Sequence, residues 1–176
     1  MQQQRGFTLI ELIIVIVILG ILAVTAAPKF IDIQGDATAS TLQGVKSAVL
    51  AGSQLVYAKA AIAGKQKTAQ SATTAPSVDV GGQTVLLDFG YPDAETASSS
   101  TLLGWVDINT SDFIVVIGTG TADAANPILD TIGISPSGKA VDYTVTTIGG
   151  DSCHLLYTDS DGENVLPIVT LVTGGC

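Results

Sequence analysis

The sequence predicts an α+β subunit, one long N-terminal helix laid on a C-terminal antiparallel sheet, and three observations carry that expectation. The first is an uncharged apolar run, Leu12 to Pro28, which Phe7 to Ile10 extend on the far side of a single carboxylate, Glu11. The second is an apolar repeat at spacings of three and four, Leu42, Val45, Val49, Gly52 and Val56, which carries the helix on beyond that run. The third is a series of short β-branched and aromatic runs in the second half, separated by Gly, Pro, Asn and Asp.

The apolar run has roughly the 20 residues a helix needs to cross a bilayer. An unpaired carboxylate within it costs about 2.5–3.5 kcal/mol, so Glu11 asks for a partner. Gly20 and Pro28 weaken the helix locally: Gly costs about 1 kcal/mol relative to Ala, and Pro28 offers no N–H to the Val24 carbonyl. The stretch between them can bend or unwind. A secretory signal peptide fits poorly, because Arg5 is the whole basic region, Glu11 interrupts the apolar core and Pro28 stands where cleavage would fall. Met1 to Gly6 are polar and end in a Gly that lets extended backbone enter a protease site.

Beyond the apolar run the helix is expected to be amphipathic, burying the Leu42 to Val56 stripe with Leu55 and Ile62 at its flanks. Residues 65–83 are small, polar and without period, which predicts a loop, and 90–101 predict another. Strands are expected at Thr84 to Phe89, Trp105 to Ile108, Phe113 to Ile117, Val141 to Thr147, His154 to Thr158 and Ile168 to Val172.

Of the chain's 176 residues 47% are hydrophobic and 13% charged, a composition inflated by the apolar segment, and one globular core is enough for the rest. Seven Lys/Arg oppose sixteen Asp/Glu. After residue 67 only Lys139 faces thirteen acids, a surface that repels phosphate backbones and anionic headgroups, so no direct nucleic-acid binding is expected. The acids read as a solvated face that keeps a repeatedly displayed domain soluble.

The segment Gly6-Phe-Thr-Leu-Ile-Glu11 followed by an apolar helix resembles the cleavage signal of type IV prepilins. The resemblance continues through ILAVTAAPKF (21–30), LQG (42–44) and YAKAAIAG (57–64), where the pattern is most similar to the mannose-sensitive haemagglutinin (MSHA) pilins of Gram-negative bacteria. It covers about the first 64 residues. It implies the ladle-like pilin fold, with a leader at 1–6, a membrane and filament-core helix at 7–29, an amphipathic helix half at 30–64, and a globular domain at 65–176 whose αβ-loop is 65–101. It implies cleavage between Gly6 and Phe7 by a prepilin peptidase, N-methylation of Phe7, and pairing of Glu11 with the Phe7 amine of a neighbouring subunit. It also tips the Gly20 to Pro28 stretch toward unwinding during filament assembly.

Two cysteines in a translocated protein favour a bond between Cys153 and Cys176, closing a loop whose entropy contributes about 3 kcal/mol. Two free thiols would need a reducing compartment. Asp159, Asp161 and Glu163 resemble part of a calcium loop, but Gly162 sits at the fourth place rather than the sixth and no bidentate acid follows, so an acidic turn is the better reading. Their test is warranted because the pseudopilins of type II secretion resemble pilins and bind calcium near the C-terminus.

His154 is the only histidine, GTGTAD at 118–123 lacks the Lys and helix of a phosphate loop, and the helix carries too few rings (Phe7, Phe30, Tyr57) for an electron path. No catalysis and no cofactor are expected. The resemblance implies a structural subunit held in the inner membrane and then packed with copies of itself into an extracellular pilus for surface attachment and early biofilm. Its implied partners are the peptidase, an inner-membrane platform protein, an assembly ATPase, a secretin and minor pilins. The rivals are a type II secretion pseudopilin and a single-pass anchored binding protein.

Overall fold

In the computed structural model, residues 6–70, 75–94, 102 and 104–176 are described. Residues 1–5 of the expected leader, part of the expected 90–101 loop and the side chain of Pro28 lie outside them. The chain divides into two compact units, residues 1–37 and 38–176.

Helix α1 runs Leu9–Ile62, 54 residues, and is continuous through Gly20 and Pro28. Thr8 caps its start: its Oγ1 accepts the Glu11 N–H at 3.4 Å, while its own N–H and O–H both donate to Glu11 Oε2, at 2.8 and 2.6 Å. This is a capping box, in which two otherwise orphaned donors satisfy each other's residues. At the other end Lys65 N–H bonds the Ala60 carbonyl and Gly64 N–H the Ala61 carbonyl, with Gly64 at φ +68°. That pattern is a Schellman closure, and only a residue without Cβ adopts it freely.

Within the second unit the helix buries Leu42, Val45, Val49, Val56 and Ala60 against the sheets. Gly52 sits in the middle of this stripe because a Cβ there would strike the Trp105 carbonyl and lie 2.9 Å from its ring. Leu55 and Ile62, the flanking positions, stay exposed.

The sheets are both antiparallel. Strands β1 (Ser77–Val80), β2 (Gln83–Asp88) and β3 (Tyr91–Pro92) form one in that order; β4 (Phe113–Ile117), β5 (Thr131–Pro136), β6 (His154–Thr158) and β7 (Ile168–Val172) form a meander. Both turns of the first sheet are two-residue loops with positive φ at each central position, Gly81-Gly82 and Phe89-Gly90, which match the twist of the strands they join.

Five expectations need correction. The 65–83 loop contains β1, whose hairpin is announced by Gly81-Gly82, and the 90–101 loop opens with β3, paired to β2 through Leu87 with Pro92 and Asp88 with Tyr91. Strand β5 was not foreseen at all: Gly133 and Pro136 disguise it, and Gly133 is there because the Tyr143 ring covers it, so closely that a Cβ would lie 2.8 Å from its Cζ. Trp105 to Ile108 is not a strand; Trp105 and Val106 N–H groups both turn back to the Leu102 carbonyl. Val141 to Thr147 is not a strand either, because the Asp142 carboxylate takes the Thr144 N–H and O–H at 2.9 and 2.6 Å and holds a turn.

Candidate functional site

Two regions hold the residues singled out in the sequence. In the first unit the α1 window Leu9–Ala26 is long and apolar enough to cross a membrane, and none of it is buried by the chain itself. Phe7 is 89% exposed and Gly6 is exposed with open space around its Cα. Glu11 is exposed too, with one carboxylate oxygen, Oε2, taken up in capping the helix that carries it. A Cβ at Gly20 would meet nothing, so that glycine has no packing reason within the chain.

In the second unit Cys153 and Cys176 are bonded, with Cα atoms 4.8 Å apart and Cys153 fully buried. The bond brings the segment around Cys176 against the Gly149–Ser152 turn, where Gly175 N–H meets the Ser152 carbonyl at 2.9 Å and Lys139 Nζ donates to the Cys176 carbonyl. His154 is buried beside it. Its Nδ1 lies 2.9 Å from Ser152 Oγ, which in turn accepts the Asp142 N–H at 2.9 Å, and the Tyr143 ring packs edge-on against the imidazole.

Ser152, His154 and Asp142 thus come together as a Ser, His and Asp, which the sequence did not suggest, but they do not form a nucleophile. Asp142 reaches the Ser152 hydroxyl through its backbone N–H, while its carboxylate is taken by Thr144, so the three are not linked in series as hydroxyl, imidazole and carboxylate. Ser152 is also buried. Burial holds the imidazole below its ordinary pKa; the Val145 backbone and the Asp142 charge work weakly the other way, and Nε2 makes no hydrogen bond of ordinary geometry.

The calcium candidates are turned to different tasks. Asp159, 6% exposed, accepts the Ala94 N–H at 2.9 Å and so ties β6 to the segment after β3. Glu163 pairs with Lys67 at 2.7 Å. Among the described residues no three His, Cys, Asp or Glu side chains converge as a metal would require. Burial pushes the Asp159 carboxyl up to about 7, opposed by the Ala94 N–H and reinforced by the charges of Asp93, Asp130 and Asp88. Tyr157 stands in the same cluster, its hydroxyl donating to the Pro92 carbonyl at 2.8 Å.

A capped, apolar, self-exposed helix start joined to a stripe-bearing helix half, antiparallel sheets and a disulfide-tied C-terminal segment defines a structural subunit of pilin type rather than an enzyme. Residues 1–27 match the prokaryotic N-terminal methylation motif. Over 142 residues the chain is 31% identical to the type IV narrow pilus major component PilA5 of Thermus thermophilus, spanning 81% of this chain and 96% of that one. No solved structure matches. The chain belongs to the type IV pilin family.

Proposed function

We propose that the chain is the major subunit of an MSHA-like type IV pilus of a Gram-negative bacterium, used for surface attachment and the start of biofilm. One observation carries the proposal: an apolar helix window with none of its surface buried by its own chain, headed by the methylation motif, in a protein similar along most of its length to a pilus major component. Such a helix is stable in a membrane or against other copies of itself, and nowhere else in water.

In this scheme a prepilin peptidase cuts between Gly6 and Phe7 and the new amine is N-methylated. The subunit waits in the inner membrane. A platform protein, an assembly ATPase and minor pilins then feed it into a filament that leaves through a secretin, the apolar helices forming the core and the acidic domains the surface. Glu11 pairs with the Phe7 amine of a neighbour, which the low dielectric of a dry core makes strong only in correct register. Gly20 and Pro28 give α1 a segment that can unwind on assembly.

The test is the intact mass of protein sheared from the surface of the host, before and after reduction. An abundant species beginning at methylated Phe7 with one disulfide fits a major pilin. Protein confined to the membrane fraction with a calcium requirement fits the pseudopilin instead, and an uncleaved N-terminus on a monomer fits an anchored binding protein.

A further inference from the structure

The outer edge of β1 is held by two lysines. Leu87 N–H bonds the Pro76 carbonyl at 2.8 Å, and the register pairs Val78 with Val85 and Val80 with Gln83, so the hydrogen-bonded positions of β1 are the even ones. Ser77 and Asp79 therefore turn their backbone groups away from β2. Both outward carbonyls are occupied by lysines of the helix end: Lys65 Nζ donates to Ser77 at 2.6 Å and Lys59 Nζ to Asp79 at 2.9 Å. The Gly64 closure is what swings Lys65 into place.

This capping changes the chemistry of the edge. A free strand edge alternates donors and acceptors and recruits another strand. Here each outward carbonyl already accepts from an ammonium group, so a joining strand would meet two cations where its N–H groups must donate, beside the outward N–H groups of Ser77 and Asp79. The Asp79 carboxylate is turned into the hairpin, where it accepts the Gly82 N–H at 3.1 Å. Neither lysine has a carboxylate partner among the described residues, whereas Lys67 has Glu163. The lysines, with Ser77 and Asp79, line a groove of about 500 Å³ whose apolar wall is Ile62, 89% exposed, with Ala63 and Val78.

We propose that this groove is an interaction surface that receives an acidic segment from a second copy of the chain. Two ammonium groups beside an apolar wall fit a carboxylate flanked by an aliphatic side chain, and their hold on the outward carbonyls disfavours ordinary strand addition. The occupant follows from charge: residues 68–176 hold thirteen acids against Lys139, so the acid-rich face of a neighbouring copy is the complementary surface. The proposal rests on the filament reading above.

Sheared filaments treated with a zero-length carbodiimide test it, since that reagent joins an amine to a carboxyl only where they touch. Lys67 and Glu163, 2.7 Å apart in one chain, supply an internal control that appears in the monomer band. Isopeptide bonds from Lys59 or Lys65 to an Asp or Glu in the dimer band are the expected result. The control bond present with those two lysines absent from every dimer cross-link would overturn the proposal. Separately, Lys59→Glu with Lys65→Glu is expected to leave folded protein in the membrane and remove filaments from the sheared fraction; normal filaments from that variant also refute it. A parent strain that sheds no filaments defeats the filament reading itself, and the proposal with it.

Discussion

Asp159 offers the sharpest test of the packing described above. Its carboxyl ordinarily titrates at 3.8 and is pushed to about 7 in the folded chain, mainly by burial. The folded state therefore keeps a proton that the unfolded chain releases near 3.8, and stability falls as pH rises from about 4 to about 7 and is level above that. At pH 8 the buried charge costs on the order of 2–4 kcal/mol, taking 1.36 kcal/mol per unit and allowing for residual solvent. Asp159→Asn keeps an oxygen for the Ala94 N–H and removes the charge. It should raise the midpoint of thermal unfolding at pH 8 by roughly 6–15 °C for a domain of this size.

The assay is unfolding of the full chain in detergent, followed by fluorescence of Trp105, the single and buried tryptophan. The parent should gain stability on acidification from pH 8 to 5, and the variant should gain less, keeping only what Asp88 and Asp130, also raised by burial, contribute. His154 makes the variant informative below 6.5. Its pKa is lowered by burial, so the unfolded chain binds a proton there that the folded chain refuses, and this pulls the variant's slope away from the parent's. A variant no more stable than the parent at pH 8, or one with the parent's slope, would show that Asp159 is hydrated and that the cluster with Asp93, Asp130 and Asp88 is open to solvent.

Cys153→Ser should cost about 3 kcal/mol through the lost loop constraint, seen as a lower denaturation midpoint that reduction of the parent reproduces. Gly52→Val should destabilise by about 1–3 kcal/mol and shift Trp105 emission, because backbone rather than a flexible side chain stands in the way, whereas Gly44→Ala, with open space around it, should stabilise by about 0.5–1 kcal/mol. Thr8→Ala should fray the first turn of α1 at a cost of about 1 kcal/mol, read as loss of amide protection at Glu11 and Leu12 by hydrogen exchange in micelles.

Helix α1 was legible because two periodic signals, a continuous apolar run and a three-four stripe, follow one another without a stop. Strands β4, β6 and β7 have the bounds expected of them, since each is a β-branched or aromatic run free of Gly and Pro. Strand β5 was illegible for the opposite reason: Gly133 makes sense only once Tyr143 lies over it. Val141 to Thr147 shows β-branched content losing to local chemistry, as the Asp142 carboxylate satisfies two donors at once. The GG of β1's hairpin was a readable turn signal between Val80 and Gln83. Lys59 and Lys65 could not have been read as a pair, because only the β1 register turns Ser77 and Asp79 toward them.

In the proposed filament Glu11 would answer a neighbour's amine, and the structure gives it a second task that Thr8 supplies. Thr8-x-x-Glu11 is a readable capping signature, and the structure uses it: Oε2 alone takes both Thr8 donors. An ionised carboxylate has about four acceptor sites on two oxygens, so Oε1 is left for another donor. The cap and an incoming amine therefore do not compete. The cap instead holds Glu11 in one rotamer before any partner arrives, so an amine that docks there meets a carboxylate already oriented and loses less freedom in binding it. Removing the hydroxyl of Thr8 and removing the charge of Glu11 are then different lesions. Thr8→Ala leaves a partner's charge answered but its target loose, slowing filament growth, whereas Glu11→Gln leaves the cap's geometry and takes away the attraction, which should stop growth outright.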